Sequence, residues 1–485
     1  MSNYILMGGY DSLNVGDYAM LDTLTRVLHG HTITLLTRHQ HDHLPGLWKV
    51  RLLQNLDHET REASKGRMFN GFNYGDDTRH LHDIRKALLY ADGLILGGGR
   101  LLVDYCLSVG RGPLWYYQTL ITLARFCGVP VSIYGMSIVP LATQQGADLL
   151  RYIVGCCERV AVRDEGSVDV LRMYDCPLEH VTVLPDPAYA LPWRQREGGT
   201  KRAGLSVRRM DEQYGGIPRA RYIELMSATI DTLHNEGYEV VGIPHQYYDM
   251  DRPDDSDLRV IADLPVDEVA WYGQRTYVLE AYEKLYRSLD LCVGIRRHST
   301  IFAALCGVPV RGVAENVNAE RALDEVGAVH VPIDRVADSA HAGVDCAKVK
   351  ALGDGLVERY QRWLGLRQVG PSIARYQGGQ EDSMGKPTAK DDSTERGLRT
   401  IAEAGYRINL QDGTVTRHGE EIEALKGEVK RLEGDLYQAR AELRGDVAVL
   451  ADEVASHACD ECGRYVCAEH CEAGGLCSEC DDEES

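Results

Sequence analysis

The first part of the chain alternates short apolar runs with longer stretches in which apolar residues recur every three to four positions. Helical patterns of this kind cover Asp17–Val27 and Trp115–Phe126. The apolar runs between them predict β-strands at Tyr4–Met7, Thr32–Leu36, Leu94–Leu96, Val129–Tyr134, Arg159–Val162 and Val181–Leu184. Strands that alternate with helices are typical of a parallel sheet covered on both faces. We therefore predict an N-terminal Rossmann-like domain over residues 1–192.

The same alternation begins again after Arg194–Arg202, a polar segment with a pair of glycines that is typical of a linker. Helical patterns cover Ala220–His234 and Tyr277–Arg287, and another around Ala347–Gly365 closes the unit. The strands predicted here are Ala203–Val207, Glu239–Ile243, Leu289–Val293 and Pro309–Val313. This pattern predicts a second Rossmann-like domain over residues 200–368. Two such units in tandem leave a cleft, and open α/β sheets bind ligands at the carboxyl ends of their strands.

The pattern changes after residue 368. Residues 369–416 are polar, which favours a flexible linker with at most a short helix near Leu398–Gly405. Over residues 417–456, apolar residues recur at heptad spacing, with a phase shift at Val447. The highly charged outer positions favour a coiled coil that joins two or three chains over a long helix packed on the body. We expect a homo-oligomer as the consequence.

Composition and charge narrow the classes of function. The 485 residues are 44% hydrophobic and 26% charged, which is sufficient for two or three globular domains. A net charge of −20, without an evident basic face, argues against nucleic acid as a partner. No apolar run reaches about 18 residues, so no transmembrane segment is expected. The N-terminal residues lack a signal-peptide pattern, and we expect a cytoplasmic protein.

The cysteines are concentrated at the end of the chain, where six of the 14 fall in the last 27 residues. Four of these six form two CxxC pairs, the spacing of a structural zinc site: Cys459, Cys462, Cys477 and Cys480. Cys467, with His470 or Cys471, is a substitute ligand or part of a second site. So short a segment needs a metal to fold. We predict a zinc-binding module over residues 457–485 that binds a protein partner, rather than a disulfide-linked tail.

The joint between the predicted strand Leu289–Val293 and the helix that follows it carries the most chemistry. Three basic side chains and a hydroxyl come directly after Gly294, namely Arg296, Arg297, His298 and Ser299. Helix N-termini attract anions, and guanidinium groups bind phosphate and carboxylate in bidentate geometry. The alternative is a turn with solvated arginines, which the apolar flanks disfavour. We predict an anion-binding site here.

Two further candidates follow other predicted strands of the second domain. Arg208 comes directly after Ala203–Val207 and could supply another guanidinium to the same anion. His245 comes shortly after Glu239–Ile243, where it is either a structural histidine or a ligand and acid–base group. Both positions are strand ends that face the expected cleft.

The first domain offers a different set of candidates. Asn14 and Asp17 either cap the first helix and complement its dipole, or contact a sugar hydroxyl and move a proton. Gly98 and Gly99 lie in a run of three glycines, which permits close approach of the backbone to a ligand. The run lacks the GxGxxG spacing of nicotinamide-cofactor sites, and the chain contains no GxxxxGK[ST] phosphate loop.

Six short motifs, in this order, resemble those of the polysaccharide pyruvyl transferases over roughly residues 3–320. They are Gly-Tyr-x3-Asn-x-Gly-Asp from Gly9, Gly-Gly-Gly-x-Leu-Leu-x-Asp from Gly97, Val-Arg-Asp-Glu-x-Ser from Val162, Asp-Pro-Ala from Asp186, Ser-Val-Arg from Ser206 and Gly-x-Arg-x-His-x3-Phe-Ala-Ala from Gly294. The resemblance implies an α/β fold of two GT-B-like Rossmann domains. It also implies transfer of the pyruvate skeleton of phosphoenolpyruvate onto a saccharide, or a lipid-linked sugar, as a ketal.

The resemblance also implies residue roles. Arg208 and Arg296 match the anion-binding arginines of that family, and His298 matches its histidine, the best candidate for proton transfer. Arg297 stands where the family usually carries an apolar residue. Two alternatives stay open at this point: a GT-B glycosyltransferase that uses a nucleotide sugar, and a non-catalytic scaffold that retains the fold.

Overall fold

The computed structural model describes a defined set of residues within the chain. They are residues 1–37, 43–55, 74–104, 107, 112–196, 198–208, 217–247, 256–270, 272, 278–314, 317–338, 342–366, 406–409 and 414–417. Met1–Arg417 form one compact unit. The coiled coil expected over residues 417–456 and the zinc module expected over 457–485 therefore lie outside the described residues, apart from Arg417.

The N-terminal lobe is built on a parallel sheet with the strand order β3–β2–β1–β4–β5–β6–β7, as far as the described residues show. Its strands are β1 (Asn3–Gly8), β2 (Thr32–Thr37), β3 (Arg51–Gln54), β4 (Gly93–Gly97), β5 (Val131–Met136), β6 (Arg159–Val162) and β7 (Val181–Val183). Its helices are α1 (Val15–Val27), α2 (His43–Trp48), α3 (Tyr74–Leu88), α4 (Pro113–Phe126), α5 (Gln144–Cys156) and α6 (Glu165–Met173), followed by a 3-10 turn at Pro187–Ala190.

The central strands of this sheet are buried on both faces. Every residue of β4 and β5 is buried, and both strands are nearly continuous apolar runs, as expected of parallel strands covered by helices. The order 3-2-1-4-5-6 is that of a Rossmann sheet, with a topological switch point between β1 and β4.

The C-terminal lobe repeats this topology. Its sheet has the order β13–β12–β11–β8–β9–β10–β15–β14, in which β8 to β13 are parallel and follow the same order as the first sheet. These strands are β8 (Arg202–Ser206), β9 (Glu239–Gly242), β10 (Glu268–Ala270), β11 (Leu291–Gly294), β12 (Val310–Ala314) and β13 (Val329–Pro332). The helices are α7 (Arg219–Asn235), α8 (Asp257–Ile261), α9 (Leu279–Arg287), α10 (Arg297–Leu305), α11 (Val317–Glu325), α12 (Cys346–Gly353) and α13 (Leu356–Trp363), with a 3-10 turn at Ile333–Asp338. The predicted α/β class with two Rossmann-like units is confirmed.

Two strands lie where the sequence favours a flexible linker. They are β14 (Tyr406–Asn409) and β15 (Thr414–Arg417), and β15 pairs antiparallel with β10. Both strands are short and largely polar, so they owe their order to pairing with an existing sheet edge rather than to an apolar face of their own. The short helix expected near Leu398–Gly405 lies outside the described residues.

The two lobes meet through backbone hydrogen bonds and through the last helix. Val15 N donates to His245 O at 3.0 Å, and Tyr247 N donates to Leu13 O at 3.1 Å. Helix α13 returns to the N-terminal lobe, where the Tyr360 hydroxyl donates to Pro185 O at 2.8 Å. Among the described residues, no helix combines the length and the apolar character needed to cross a bilayer.

Candidate active site

Each sheet has its switch point at a pair of small residues. Gly8 of β1 is the register partner of Gly97 of β4, and Ser206 of β8 is the partner of Gly294 of β11. These pairs mark the carboxyl ends of the strands, where open α/β sheets bind ligands. The candidate residues predicted from the sequence follow these ends in both lobes.

In the N-terminal lobe, the Asp17 carboxylate lies between two glycine backbones. A Cβ built on Gly9 would lie 3.1 Å from Asp17 Oδ2, and one built on Gly99 would lie 3.2 Å from Asp17 Oδ1. Gly98 and Gly99 both have φ of +80°, a conformation that side-chain-bearing residues rarely adopt. The glycines therefore give the backbone its shape here and let it pack closely against the carboxylate.

The environment of Asp17 suits a group that exchanges protons. The Ser12 hydroxyl donates to Asp17 Oδ2 at 2.9 Å. Burial raises the pKa of the Asp17 carboxyl above its ordinary value. Four neighbouring groups act to lower this pKa. They are the imidazole of His298, the hydroxyl of Ser12 and the guanidiniums of Arg163 and Arg296. A carboxyl with a raised pKa is a candidate general acid or base.

His298 forms a further contact between the lobes. It lies at the N-terminus of α10, and its side chain packs on α1. A Cβ built on Gly16 would lie only 1.9 Å from His298 Nδ1, so the imidazole fills the place of a side chain there. The other ring nitrogen, Nε2, is buried without a hydrogen-bond partner among the described residues and lies 3.7 Å from Asp186 Oδ1. The structure thus brings His298 to the helix end that carries Asp17.

Arg296 is held by a carboxylate of its own lobe. Its Nε donates to Asp257 Oδ2 at 2.8 Å, and its Nη2 donates to Asp257 Oδ1. Asp257 is fully buried and also accepts hydrogen bonds from the backbone N–H groups of His245 and Gln246. This bidentate pairing fixes the guanidinium of Arg296 at the mouth of the switch point.

Arg297 points to the opposite lobe. Its Nε donates to Asp186 Oδ2 at 3.1 Å, and its Nη2 donates to Glu325 Oε2 at 3.1 Å. Its Nη1 also lies 3.8 Å from Asp164 Oδ2. Arg297 therefore contacts three carboxylates, two of which belong to the N-terminal lobe.

Asp186 is the most deeply buried of these carboxylates. Its Oδ2 also accepts a hydrogen bond from Arg163 Nη1 at 2.7 Å. Although burial acts to raise the pKa of the Asp186 carboxyl, the charges of Arg163, His298 and Arg297 hold that pKa well below its ordinary value. Asp186 is therefore an anion at neutral pH.

The remaining candidates take part in local structure. The Asn14 side chain accepts from Gly16 N at 2.9 Å and caps α1. The Ser299 hydroxyl donates to Arg296 O at 2.6 Å. The Arg208 backbone N–H donates to the Tyr222 hydroxyl at 3.4 Å, and the residue is half-buried.

His245 lies within the core of the C-terminal lobe. It is 1% exposed, its Nε2 lies 2.7 Å from the Tyr286 hydroxyl, and its ring stacks on Phe302. Burial, with Arg296 and His298 nearby, lowers the pKa of His245 well below its ordinary value, so the ring is neutral. The side chain is therefore part of the aromatic core of this lobe.

Several residues of this region escaped sequence reasoning. Asp257 stands in an acidic stretch typical of a solvated loop, so no signal pointed to its burial. Arg163 and Asp186 appear only within the motifs that carry the family resemblance. Among the described residues, no group of three or more His, Cys, Asp or Glu side chains could hold a metal ion. The cysteines and the histidine expected to bind zinc lie outside the described residues.

Sequence comparison gives one match. A model of the polysaccharide pyruvyl transferase family matches residues 14–316, which is more than half of the chain. No curated protein matches the chain in sequence. The matched residues include the C-terminal switch point, Gly97 of the N-terminal one, Asp17 and His298.

Solved structures similar to this chain share little sequence with it. HepE from Anabaena, in complex with UDP and glucose, has a TM-score of 0.47 at 10% identity, over 75% of this chain and 98% of its own. The UDP-GlcNAc 2-epimerase of Methanocaldococcus jannaschii has a TM-score of 0.43 at 10% identity, over 74% and 100%. MurG from Acinetobacter baumannii has a TM-score of 0.36 at 15% identity, over 75% and 93%. Scores at this level carry no argument about what the chain binds.

Proposed function

This chain belongs to the polysaccharide pyruvyl transferase family and is therefore a transferase; from its site we propose that it moves the pyruvate skeleton of phosphoenolpyruvate onto a saccharide as a ketal. The observation that carries the proposal is the packing of His298, from one lobe, against the end of α1 that bears Asp17, from the other. This contact joins the two switch points into one candidate site.

The C-terminal switch point would bind the donor. Phosphoenolpyruvate carries a carboxylate and a phosphate close together, and both are anions that guanidinium groups bind well. Arg296 is fixed there by Asp257, and Arg208 follows the neighbouring strand β8. The backbone N–H groups at the N-terminus of α10 add positive potential beside them. In this arrangement, the arginines would also stabilise the charge on the departing phosphate.

The N-terminal switch point would bind the acceptor. Formation of the ketal joins two hydroxyl oxygens of one saccharide to C2 of phosphoenolpyruvate and breaks the bond from C2 to the phosphate oxygen. One hydroxyl proton ends on C3, which becomes a methyl group, and the other leaves with phosphate. Asp17 would take a proton from a hydroxyl, and His298 would deliver the proton to C3. The glycines Gly9 and Gly99 bring no side chain against the Asp17 carboxylate.

Label transfer tests the proposal. The full-length protein is incubated with [14C]phosphoenolpyruvate and a panel of saccharides that offer pairs of neighbouring hydroxyls, with UDP-[3H]glucose in parallel. We expect 14C in the saccharide in an acid-labile form, one phosphate released per label transferred, and no 3H transfer. The matched control is Asp263→Asn, in an exposed ion pair with Arg219 on the surface. Transfer of 3H instead would favour a glycosyltransferase, and transfer of neither label with no binding of phosphoenolpyruvate would favour a scaffold.

The C-terminal residues add proposals that rest on the sequence alone. We propose a structural zinc ion held by the cysteines of the tail, a homo-oligomer formed through the expected coiled coil, a protein partner for the tail and a cytoplasmic location. Metal analysis of the full-length protein should find about one zinc per chain. A Cys459→Ser, Cys477→Ser double variant should lose that zinc and keep pyruvyl transfer. Retention of zinc in this variant would contradict the ligand assignment.

A further inference from the structure

An ionic cluster lies beside His298 Nε2. It consists of two guanidiniums and three carboxylates, contributed by Arg163, Asp164, Asp186, Arg297 and Glu325. Both lobes contribute to it, since Arg297 and Glu325 belong to the C-terminal lobe and the other three to the N-terminal lobe. The reaction proposed above uses none of these five side chains.

Asp186 is the member of this cluster that faces His298. Its Oδ2 accepts from Arg163 and Arg297, which fixes the plane of the carboxylate. Its Oδ1 accepts from Ala188 N at 3.0 Å and lies 3.7 Å from His298 Nε2. That ring nitrogen is buried and has no other partner among the described residues. A distance of this length exceeds a hydrogen bond, but such contacts commonly shorten when substrate binds.

The opposite ring nitrogen is oriented differently. His298 Nδ1 is the ring atom closest to the position that a Cβ on Gly16 would occupy, so it faces the N-terminal end of α1. A neutral imidazole carries its hydrogen on one nitrogen only. An ionised acceptor beside Nε2 places the hydrogen there and leaves the Nδ1 lone pair toward α1.

We propose that Asp186 is the positioning residue of His298, and that Arg297 holds Asp186 in place rather than binding the substrate. This inference rests on the proposed function, because it gives His298 the role of moving a proton. Asp186 sets the ring orientation and the tautomer, Arg163 and Arg297 fix the carboxylate, and Nδ1 is the nitrogen that exchanges the proton with the substrate.

The adjacent residue Arg296 provides the contrast. Arg296 pairs within its own lobe, next to the strand end, whereas Arg297 spans to the buried carboxylate of the other lobe. Removal of a substrate-binding arginine raises KM, whereas removal of an arginine that acts through His298 lowers kcat. The two roles of Arg297 are therefore separable by kinetics.

The tautomer of His298 tests the inference without any substrate. The full-length protein is labelled with 15N-histidine, His298 is assigned from the spectrum of His298→Gln, and spectra are recorded at a pH where the ring is neutral. We expect hydrogen on Nε2 in the unaltered protein and a mixture of tautomers in Asp186→Asn. Asp290→Asn is the matched control, since Asp290 also accepts from an arginine and from backbone N–H groups but precedes β11. We expect no change at His298 in this variant.

Hydrogen on Nδ1 in the unaltered protein overturns the inference, and so does an unchanged tautomer in Asp186→Asn. If Asp186→Asn does not fold, the spectrum of the unaltered protein still decides. These spectra also separate the inference from the proposed function, because they are independent of turnover. A chain that shows the Nε2–H tautomer but transfers no pyruvyl group would contradict the function and keep the pairing.

Kinetics supplies the second arm of the test. We expect Arg297→Met to lower kcat about 10-fold, with the KM for phosphoenolpyruvate changed less than about twofold, and Arg297→Lys to recover part of the loss. A KM raised about 10-fold at unchanged kcat would show that Arg297 binds the donor and would overturn its assignment here.

Discussion

The two lobes share one strand order and differ in the chemistry at its switch point. The N-terminal lobe offers glycine backbones and one carboxylate, at Gly9, Gly99 and Asp17. The C-terminal lobe offers a guanidinium and an imidazole at the equivalent place, at Arg296 and His298. A reaction that joins an anionic donor to a neutral hydroxyl needs both environments. The topology supplies two equivalent positions, and the side chains at each position suit a different substrate.

Contacts between the lobes have the same asymmetry. The C-terminal lobe sends Arg297 and His298 across, and the N-terminal lobe receives them with Asp186 and the bare backbone of Gly16. The N-terminal lobe is thus shaped by small residues and buried carboxylates around side chains that the other lobe provides. Substitutions in the two lobes should therefore affect turnover, affinity and stability differently.

The largest effect is expected from His298→Gln, which removes the proton-transfer group of the C-terminal lobe. We expect kcat to fall about 1,000-fold, within the range that general acid–base groups contribute. The KM for phosphoenolpyruvate should change little, since the arginines remain. Steady-state phosphate release with a saccharide acceptor measures both. A variant with ordinary turnover would remove His298 from the site.

Asp186→Asn tests the N-terminal carboxylate that contacts Arg297 and His298, and the free energy of unfolding is the quantity measured. Because the folded-state pKa of Asp186 lies below its unfolded value, the ionised carboxylate stabilises the fold above about pH 4, and this stabilisation is lost as the pH falls further. We expect the variant to be less stable by about 3 kcal/mol at pH 7. The difference in the free energy of unfolding should shrink below about pH 4. Urea denaturation at several pH values checks this, and a constant difference would contradict the assignment.

Gly16→Ala tests the bare backbone of the N-terminal lobe. Helix propensity alone favours alanine by about 1 kcal/mol, but the new methyl group would occupy the place of the His298 ring. Since a displacement of about 1 Å can cost about 100-fold in rate, we expect kcat/KM to fall by about that factor. The matched control is Gly155→Ala, also within a helix, where the nearest side-chain atom lies 3.8 Å away. That variant should retain its activity, and equal losses in both would contradict the account.

The smallest effect is expected from Asp257→Asn, which loosens the anchor of Arg296 within the C-terminal lobe. The guanidinium loses its bidentate partner and with it part of its preorganisation, so we expect the KM for phosphoenolpyruvate to rise about 10-fold. The kcat should change less. Calorimetric titration with phosphoenolpyruvate gives the affinity directly, and Asp263→Asn serves as the control in a neighbouring exposed pair. Unchanged affinity would place the donor away from Arg296.

The sequence predicted most of the central strands and the edge strand β7, but it missed the central strand β10 and the edge strands β3 and β13. Central strands such as β4 and β5 are buried on both faces and therefore read as apolar runs. The edge strands β3 and β13 are only partly buried, carry polar residues, and escaped the pattern. The sequence likewise identified residue types at both switch points, because strand ends are visible locally.

The partners of those residues could not be predicted. Arg296 meets Asp257, which is 39 residues away, and Arg297 meets Asp186, which is 111 residues away. The fold of the C-terminal lobe brings the first pair together, and the packing of the two lobes brings the second pair together, so no local spacing reveals them. For the same reason, Arg297 was expected among the substrate-binding residues, whereas its contacts in the structure are with three carboxylates.

The most direct test of a single site built by two switch points is a crystal structure of the full-length protein with phosphoenolpyruvate. We expect the donor between the carboxyl ends of β4 and β11, with an anionic group in contact with Arg296 and its C3 atom within reach of His298. Phosphoenolpyruvate bound away from both strand ends, or a cleft that stays empty at saturating concentration, would contradict it.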